Sequence, residues 1–273
     1  MRRYRVGRAQ DVPDGQPMMS GNAALLPDLP LLYGNPLMRL ADCAQWLAQA
    51  EARLFPAHCL VCRAPGIPGR DLCAGCLQSL PRLLTACPQC AEPLTSASLC
   101  GRCQQQPPAF ERTWAALRYQ PPVDQLVQAF KFHGQLVVGR LLGELLRDAL
   151  RYTPIAAAEA LLPVPLHPAR LRQRGFNQSL ELARPLARHW DVPLLTDVAV
   201  RVRHTQPQSQ LSGPLKARNV RAAFALQRPL VYRHVVLIDD VMTTGSTLRE
   251  LAQVLKAGGA HTIEVAVVAR AGG

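Results

Sequence analysis

The sequence predicts an α/β fold, a mainly parallel sheet with helices on both faces, preceded by a small cysteine-rich module. Three observations predict it. From about residue 109, short apolar runs ("LLPVPL", "HVVLIDD", "TIEVAVVAR") alternate with helical patterns ("LVQAF", "LLGELLRDAL", "LELARPLARHW", "LRELAQVLK"), and strands alternating with helices favour parallel pairing through helical crossovers. Eight of the nine cysteines lie between residues 59 and 103, as four C-x-x-C pairs. Finally, "VVLIDDVMTTGSTL" (235–248) places two carboxylates behind an apolar run and follows them with a turn of small, mostly hydroxylated residues.

Composition narrows the function classes. The chain has 273 residues, 48% hydrophobic and 18% charged, enough for one substantial core plus a smaller module. No run of eighteen apolar residues occurs, so no membrane-spanning helix is expected. The basic N-terminus, "MRRYRVGRAQDVPDGQPMMS", is followed by no apolar h-region, and a cytoplasmic protein is expected. Formal net charge is +12, and residues 165–235 hold twelve Lys/Arg against three Asp/Glu. Such a strip points to phosphate, pyrophosphate or nucleic acid as a partner, a solvated basic face being the alternative. Aromatic residues are 5% of the chain, which argues against extended base stacking.

Residues 1–36 are rich in Pro and Gly without periodicity and are expected to form a flexible tail. In 37–54, Leu37, Leu40, Ala44, Leu47 and Leu54 fall near helical spacing and predict one amphipathic helix. Cys43 lies on it as a small apolar residue. This helix and the cysteine pairs make a first module, 37–108; residues 109–273 make the α/β domain.

The pairs Cys59/Cys62, Cys73/Cys76, Cys87/Cys90 and Cys100/Cys103 are separated by ten, ten and nine residues. A two-residue spacer lets both sulfurs of a knuckle reach one ion, and two knuckles complete a tetrahedral zinc site. Sequential pairing gives one site from Cys59, Cys62, Cys73 and Cys76, and another from Cys87, Cys90, Cys100 and Cys103. Disulfides would need an oxidising compartment that no secretory signal supports. Two structural zinc ions are therefore expected, since about 50 residues with few large apolar groups need such a staple. The module serves either as a structural cap or as a partner- or DNA-binding element.

"HVVLID" reads as a buried parallel strand. "STLRELAQVLKAGG" reads as a helix with Leu248, Leu251, Ala252 and Leu255 on one face and Gly258–Gly259 as its stop. The segment between them is a strand-to-helix turn. Its small residues leave backbone N–H groups open to a ligand, and the helix N-terminus favours phosphate. Thr243, Thr244, Ser246 and Thr247 add hydroxyl donors, while Asp239 and Asp240 can accept hydrogen bonds from a sugar diol. The turn thus suits a ribose 5-phosphate. It is no Walker-type loop, because G-x-x-x-x-G-K-[ST] is absent.

This stretch closely resembles the phosphoribosyl-pyrophosphate (PRPP) motif of type I phosphoribosyltransferases. The resemblance implies that Asp239 and Asp240 bind the ribose hydroxyls and that Val241, Met242, Thr243, Thr244, Gly245, Ser246 and Thr247 surround the 5-phosphate. It also implies the Rossmann-like sheet of that family. "LLPVPLHPARLRQRGFNQSLELA" (161–183), "RHTQPQSQLSGPLKARNVRAAF" (203–224) and "AFKFHG" (129–134) resemble the other blocks of the ComF family, over about residues 40–270. Membership there implies N-terminal cysteine knuckles on a phosphoribosyltransferase-like domain, and an association with natural competence and the handling of incoming single-stranded DNA.

The remaining candidates serve the pyrophosphate. Arg170, Arg172 and Arg174 are expected on a loop after a short strand ending at Pro163–Pro165, and arginine grips phosphate oxygens in bidentate fashion. They could instead line a nucleic-acid groove. Gly175 permits a tight turn, and Asn177 is a candidate N-cap. Arg218, with Asn219, matches the family block inside a polar stretch, 203–219, that would close over the substrate. Gln206, Gln208 and Gln210 are ordinary loop residues taken singly. Lys131 is a candidate phosphate contact; His133 and His167 are structural by default, as are Trp46, Trp114 and Trp190. Tyr119 and Phe176, with Trp114, could add stacking. The expected reaction is displacement of magnesium pyrophosphate at ribose C1 by an unidentified acceptor, with the alternative of a non-catalytic PRPP sensor or single-stranded-DNA-binding factor acting with competence proteins.

Overall fold

The computed structural model describes residues 56–203 and 222–272. The tail, the 37–54 helix with Cys43, and the segment carrying Gln206, Gln208, Gln210, Arg218 and Asn219 lie outside the described residues. Everything below concerns the compact unit Ala48–Gly273.

Its centre is a four-stranded, all-parallel sheet. The strands are β1 (Arg112–Arg118), β2 (Ala160–Pro163), β5 (His234–Met242) and β6 (Thr262–Arg270), in the order β1-β6-β5-β2. A two-stranded antiparallel ribbon, β3 (Ala199–Arg201) with β4 (Phe224–Leu226), stands apart from it. The central strands are apolar because both faces are covered. Val236, Ile238, Ala266 and Val268 face one core and Val235, Leu237, Val265 and Val267 the other, as the period-2 geometry of a strand requires.

The first core is closed by α3 (Val123–His133), α4 (Leu136–Leu150) and α6 (Gln178–Trp190). Here α3 and α4 meet so closely that a Cβ on Gly139 would stand 2.4 Å from the Phe130 ring. The second core is closed by α7 (Ser246–Ala257) and by β3 and β4. Leu248, Leu251, Ala252 and Leu255 are all buried, and Gly258 and Gly259 end the helix, as the periodicity predicts.

The cysteine module carries α1 (Ala74–Ser79) and α2 (Gly101–Gln105) and lies against the β1 edge. The Thr113 and Arg118 amides donate to the carbonyls of Pro88 and Pro81. Its two halves repeat one backbone pattern. Cys59 N donates to Ala64 O and Arg63 N to Cys59 O; Cys87 N donates to Glu92 O and Ala91 N to Cys87 O, all at 2.8 Å. Arg63 and Ala91 take positive φ at equivalent places in the two turns.

Residues 168–174 differ from expectation. They form a helix, α5 (Pro168–Arg174), where a loop is expected from the sequence. Pro168 sits at the first helical position, the His167 ring accepts from Ala169 N, and Gly175 ends the turn at φ 83. A fixed φ at the start and a left-handed glycine at the end are enough for so short a helix.

Among the described residues no helix is long and apolar enough to cross a membrane.

Candidate functional site

The loops after β2 and β5 leave in opposite directions. The chain after β2 reaches α6, in the first core; the chain after β5 reaches α7, in the second. Adjacent parallel strands whose helices part this way open a crevice at their carboxyl ends. A cleft of about 560 Å³ lies there.

Asp239 and Asp240 lie near the carboxyl end of β5 and line the cleft. Successive strand residues point to opposite sides, and the two carboxylates have different neighbours. Asp239 Oδ1 accepts from Ser179 Oγ and from Asp240 N, both at 2.9 Å. Asp240, buried, has Lys131 Nζ of α3 2.8 Å from Oδ2 and accepts from Val241 N at 2.7 Å. Desolvation, with Asp240 adding like-charge repulsion, pushes the Asp239 carboxyl up to about 7; Lys131 and the Ser179 hydroxyl oppose the rise.

The turn past β5 has the shape of an anion cradle. Gly245 takes φ 74 and caps α7, and the Thr244 and Ser246 hydroxyls stand 3.1 Å apart. Val241, Met242, Thr243, Gly245, Ser246 and Thr247 line the cleft. A Cβ at Gly245 would meet the Met242 methyl at 2.4 Å. Gly245→Ala is expected to cost about 1–2 kcal/mol, the penalty of the left-handed region. Chemical denaturation of the variant checks it.

Three arginines stand opposite. Arg170 and Arg174, four residues apart on α5, share the face that lines the cleft, while Arg172 on the other face is exposed. Arg201 of β3, buried, completes the group. Desolvation lowers the pKa of all three, that of Arg201 to about 10 with repulsion from Arg170 contributing. Desolvated guanidinium groups facing one another favour a multivalent anion.

Of the sequence candidates, the cleft gathers Asp239, Asp240, the β5–α7 turn, Arg170, Arg174 and Lys131. Lys131 faces the carboxylates. Asn177 caps α6: its Oδ1 accepts from Ser179 N and its Nδ2 donates to Val164 O, each at 3.1 Å. Both polar atoms of that side chain thus serve the scaffold. Arg201 and Ser179 were not singled out from sequence. A charge inside the apolar run "VAVRV" was the available signal for Arg201; a serine at a helix start gives none.

The cysteines fall into the two expected tetrads. Within each, all four sulfurs lie within 4.8 Å of one another. Cys62 and Cys73 sulfurs are 3.6 Å apart, Cys90 and Cys100 sulfurs 3.5 Å. Four sulfurs about 2.3 Å from a tetrahedral zinc stand about 3.8 Å apart, so both tetrads fit zinc. Burial raises the Cys59 thiol, but amides of Cys73, Cys62 and Val61 outweigh it and bring it down to about 6. Cys76 is pushed up by its hydrogen bonds to Cys62 and Cys73. One thiolate is thus favoured and the next opposed, a conflict that a divalent cation removes.

Comparison with known proteins agrees with this geometry. Residues 51–104 match the double zinc ribbon domain and residues 177–273 the phosphoribosyl transferase domain. DNA utilization protein YhgH of Shigella flexneri is 38% identical over 220 residues, covering 77% of this chain and 95% of that one. Competence protein F of Haemophilus influenzae is 37% identical over 226 residues, covering 80% and 98%. Competence protein ComFC of Bacillus subtilis is 23% identical over 195 residues, covering 69% and 79%.

Proposed function

Because this chain belongs to the ComF family, in which a double zinc ribbon is joined to a phosphoribosyltransferase-type domain, we propose that its cleft binds PRPP with magnesium and transfers phosphoribosyl to an acceptor. One observation carries the reading: two carboxylates at a strand end and a helix-capping small-residue turn face three desolvated arginines across a single cleft. Asp239 and Asp240 accept from the ribose 2′ and 3′ hydroxyls. The Thr243–Thr247 turn holds the 5-phosphate with backbone amides and hydroxyls. Arg170, Arg174 and Arg201 hold the pyrophosphate; Arg172 and Asn177 belong to the 161–183 block and Arg218 to the 203–224 block.

In this reading the acceptor attacks ribose C1 as the C1–O bond to pyrophosphate breaks, and the bonding pair leaves with the pyrophosphate. The arginines stabilise that growing charge, and Asp239 and Asp240 lie beside a cationic sugar. Magnesium, when bound, neutralises pyrophosphate charge and is held largely by the ligand and its waters. The relatives' names attach them to competence and DNA utilization, and a role in natural competence and DNA uptake is proposed for this chain on that likeness.

Calorimetric titration with PRPP and magnesium tests the site; absence of binding would sink the proposal. Release of pyrophosphate in the presence of an acceptor separates a transferase from a non-catalytic sensor. A DNA-binding role draws instead on exposed arginines outside the cleft, such as Arg172 and Arg188. It predicts single-stranded-DNA affinity that falls steeply with salt.

The reading also sets a pH dependence. Asp239 must be ionised to accept from the diol at full strength, and its pKa stands near 7. PRPP affinity should therefore fall as pH drops from 8 to 6, approaching about tenfold per unit below the pKa. Titrations at pH 8, 7 and 6 check this. A flat profile would show that Asp239 is not the group being read.

A further inference from the structure

The second cysteine tetrad is tied to the turn assigned above to the 5-phosphate. The principal tie is Arg270, at the end of β6, a fully buried side chain. Its Nε donates to the Cys90 carbonyl at 2.9 Å and its Nη1 to the Met242 carbonyl at 3.2 Å. Nη1 also reaches the Ala271 carbonyl, and Nη2 the Glu92 carboxylate. One guanidinium thus joins the backbone of a tetrad cysteine to the last residue of β5, where the turn begins. Two further arginines join the same parts. Arg249 of α7 donates to the Gln106 carbonyl at 2.8 Å and lies 3.8 Å from Cys103 Sγ, and Arg102, between Cys100 and Cys103, lies 3.5 Å from the Thr244 carbonyl. Cys87, Cys90 and Cys103 share a core with Met242 and Leu248.

The first tetrad has other neighbours. Cys59, Leu72 and Leu80 pack in the opposite core, and Arg70 pairs with Glu144 and Asp148 of α4. These ties run to α4 and the first core, away from the turn.

We propose that the Cys87–Cys90–Cys100–Cys103 site clamps the Met242–Ser246 turn through Arg270, so that metal at this tetrad, and not at the other, sets the order of the turn. A buried guanidinium with all its partners in place admits few alternative arrangements. Relaxing the Cys90 backbone removes one partner and frees the Met242 carbonyl to move. The consequence for affinity rests on the PRPP reading: a turn that must be ordered at binding holds phosphate more weakly. By linkage, a ligand on the turn must in return hold zinc at this tetrad.

The test is hydrogen–deuterium exchange of the full zinc-loaded chain, read on peptides covering 240–248. Cys100→Ser is expected to speed exchange there by about tenfold or more, the signature of local opening. Cys62→Ser, which removes a ligand from the first tetrad, should leave it at the wild-type rate. Arg270→Met keeps all eight tetrad cysteines. It should speed the same peptides while metal analysis still finds two zinc ions per chain. Equal effects of the two cysteine variants would overturn the clamp, as would unchanged exchange in Arg270→Met. If Cys100→Ser fails to fold, Arg270→Met decides alone. None of these arms uses ligand, so a failure of PRPP to bind would strike the functional reading and leave the clamp standing.

Discussion

Asp239→Asn is expected to weaken the proposed PRPP binding and yet make the folded chain more stable at pH 8, whereas Asp240→Asn should weaken both binding and stability. The asymmetry follows from the neighbours. Asp239 has a folded pKa near 7, well above its ordinary value, because it is desolvated beside Asp240. A carboxyl raised on folding contributes stability that is complete below its unfolded pKa and lost as pH rises through the folded one. At pH 8 the folded state therefore carries an ionised group that it holds at a cost. An amide relieves it, for a gain of about 2 kcal/mol once solvent screening at a half-buried site is allowed for. Asp240 is buried and paired with Lys131 at 2.8 Å. Removing its charge takes the nearer partner from a partly exposed lysine that still faces Asp239, and the loss of this charged contact should cost about 1–3 kcal/mol. If the proposed PRPP site holds, each substitution takes a charged acceptor from the diol and should cost at least about a hundredfold in affinity. Denaturation at pH 8 beside calorimetric titration resolves the pair. Destabilisation of Asp239→Asn at pH 8 would show that its carboxylate serves the scaffold.

Removing zinc from both tetrads should lower the melting temperature by about 10 °C or more, on the scale of 2–4 °C per kcal/mol for a chain of this size. Zinc-ribbon metal binding is folding free energy, about 10–16 kcal/mol in isolated peptides, and the module here is not separable. Cys59 belongs to one core of the sheet and Cys87, Cys90 and Cys103 to the other. Without metal, four sulfurs within 4.8 Å repel once ionised. Calorimetry of metal-free and zinc-reloaded protein checks the shift, with two zinc ions per chain expected by metal analysis. An unchanged melting temperature would show that packing alone holds the ribbon.

Most of the scaffold was legible because its signals are local. The continuous apolar run of "HVVLID", the apolar stripe of 246–257 and the glycine stop all concern residues within a few positions of one another. The α5 helix was missed for the opposite reason. Seven residues carry too little periodicity to separate a helix from a loop, and its start depends on the His167 ring turning back onto Ala169 N. Arg170, Arg172 and Arg174 therefore looked equivalent in a loop. Helical geometry turns two of them to the cleft and one to solvent.

The sequence by itself determined the two cysteine tetrads, the α/β order of strands and helices, and the strand–turn–helix with its acidic pair. Ligand spacing and backbone periodicity are short-range properties that the chain carries in one dimension. Only the tertiary structure decided that Lys131 meets Asp240, that Arg201 joins the cleft, and that Arg270 links the ribbon to the turn. The Arg270–Cys90 bond spans 180 residues of chain. Such partnerships are set by desolvation and by which surfaces the folded sheet brings together, and no local pattern of residues records them.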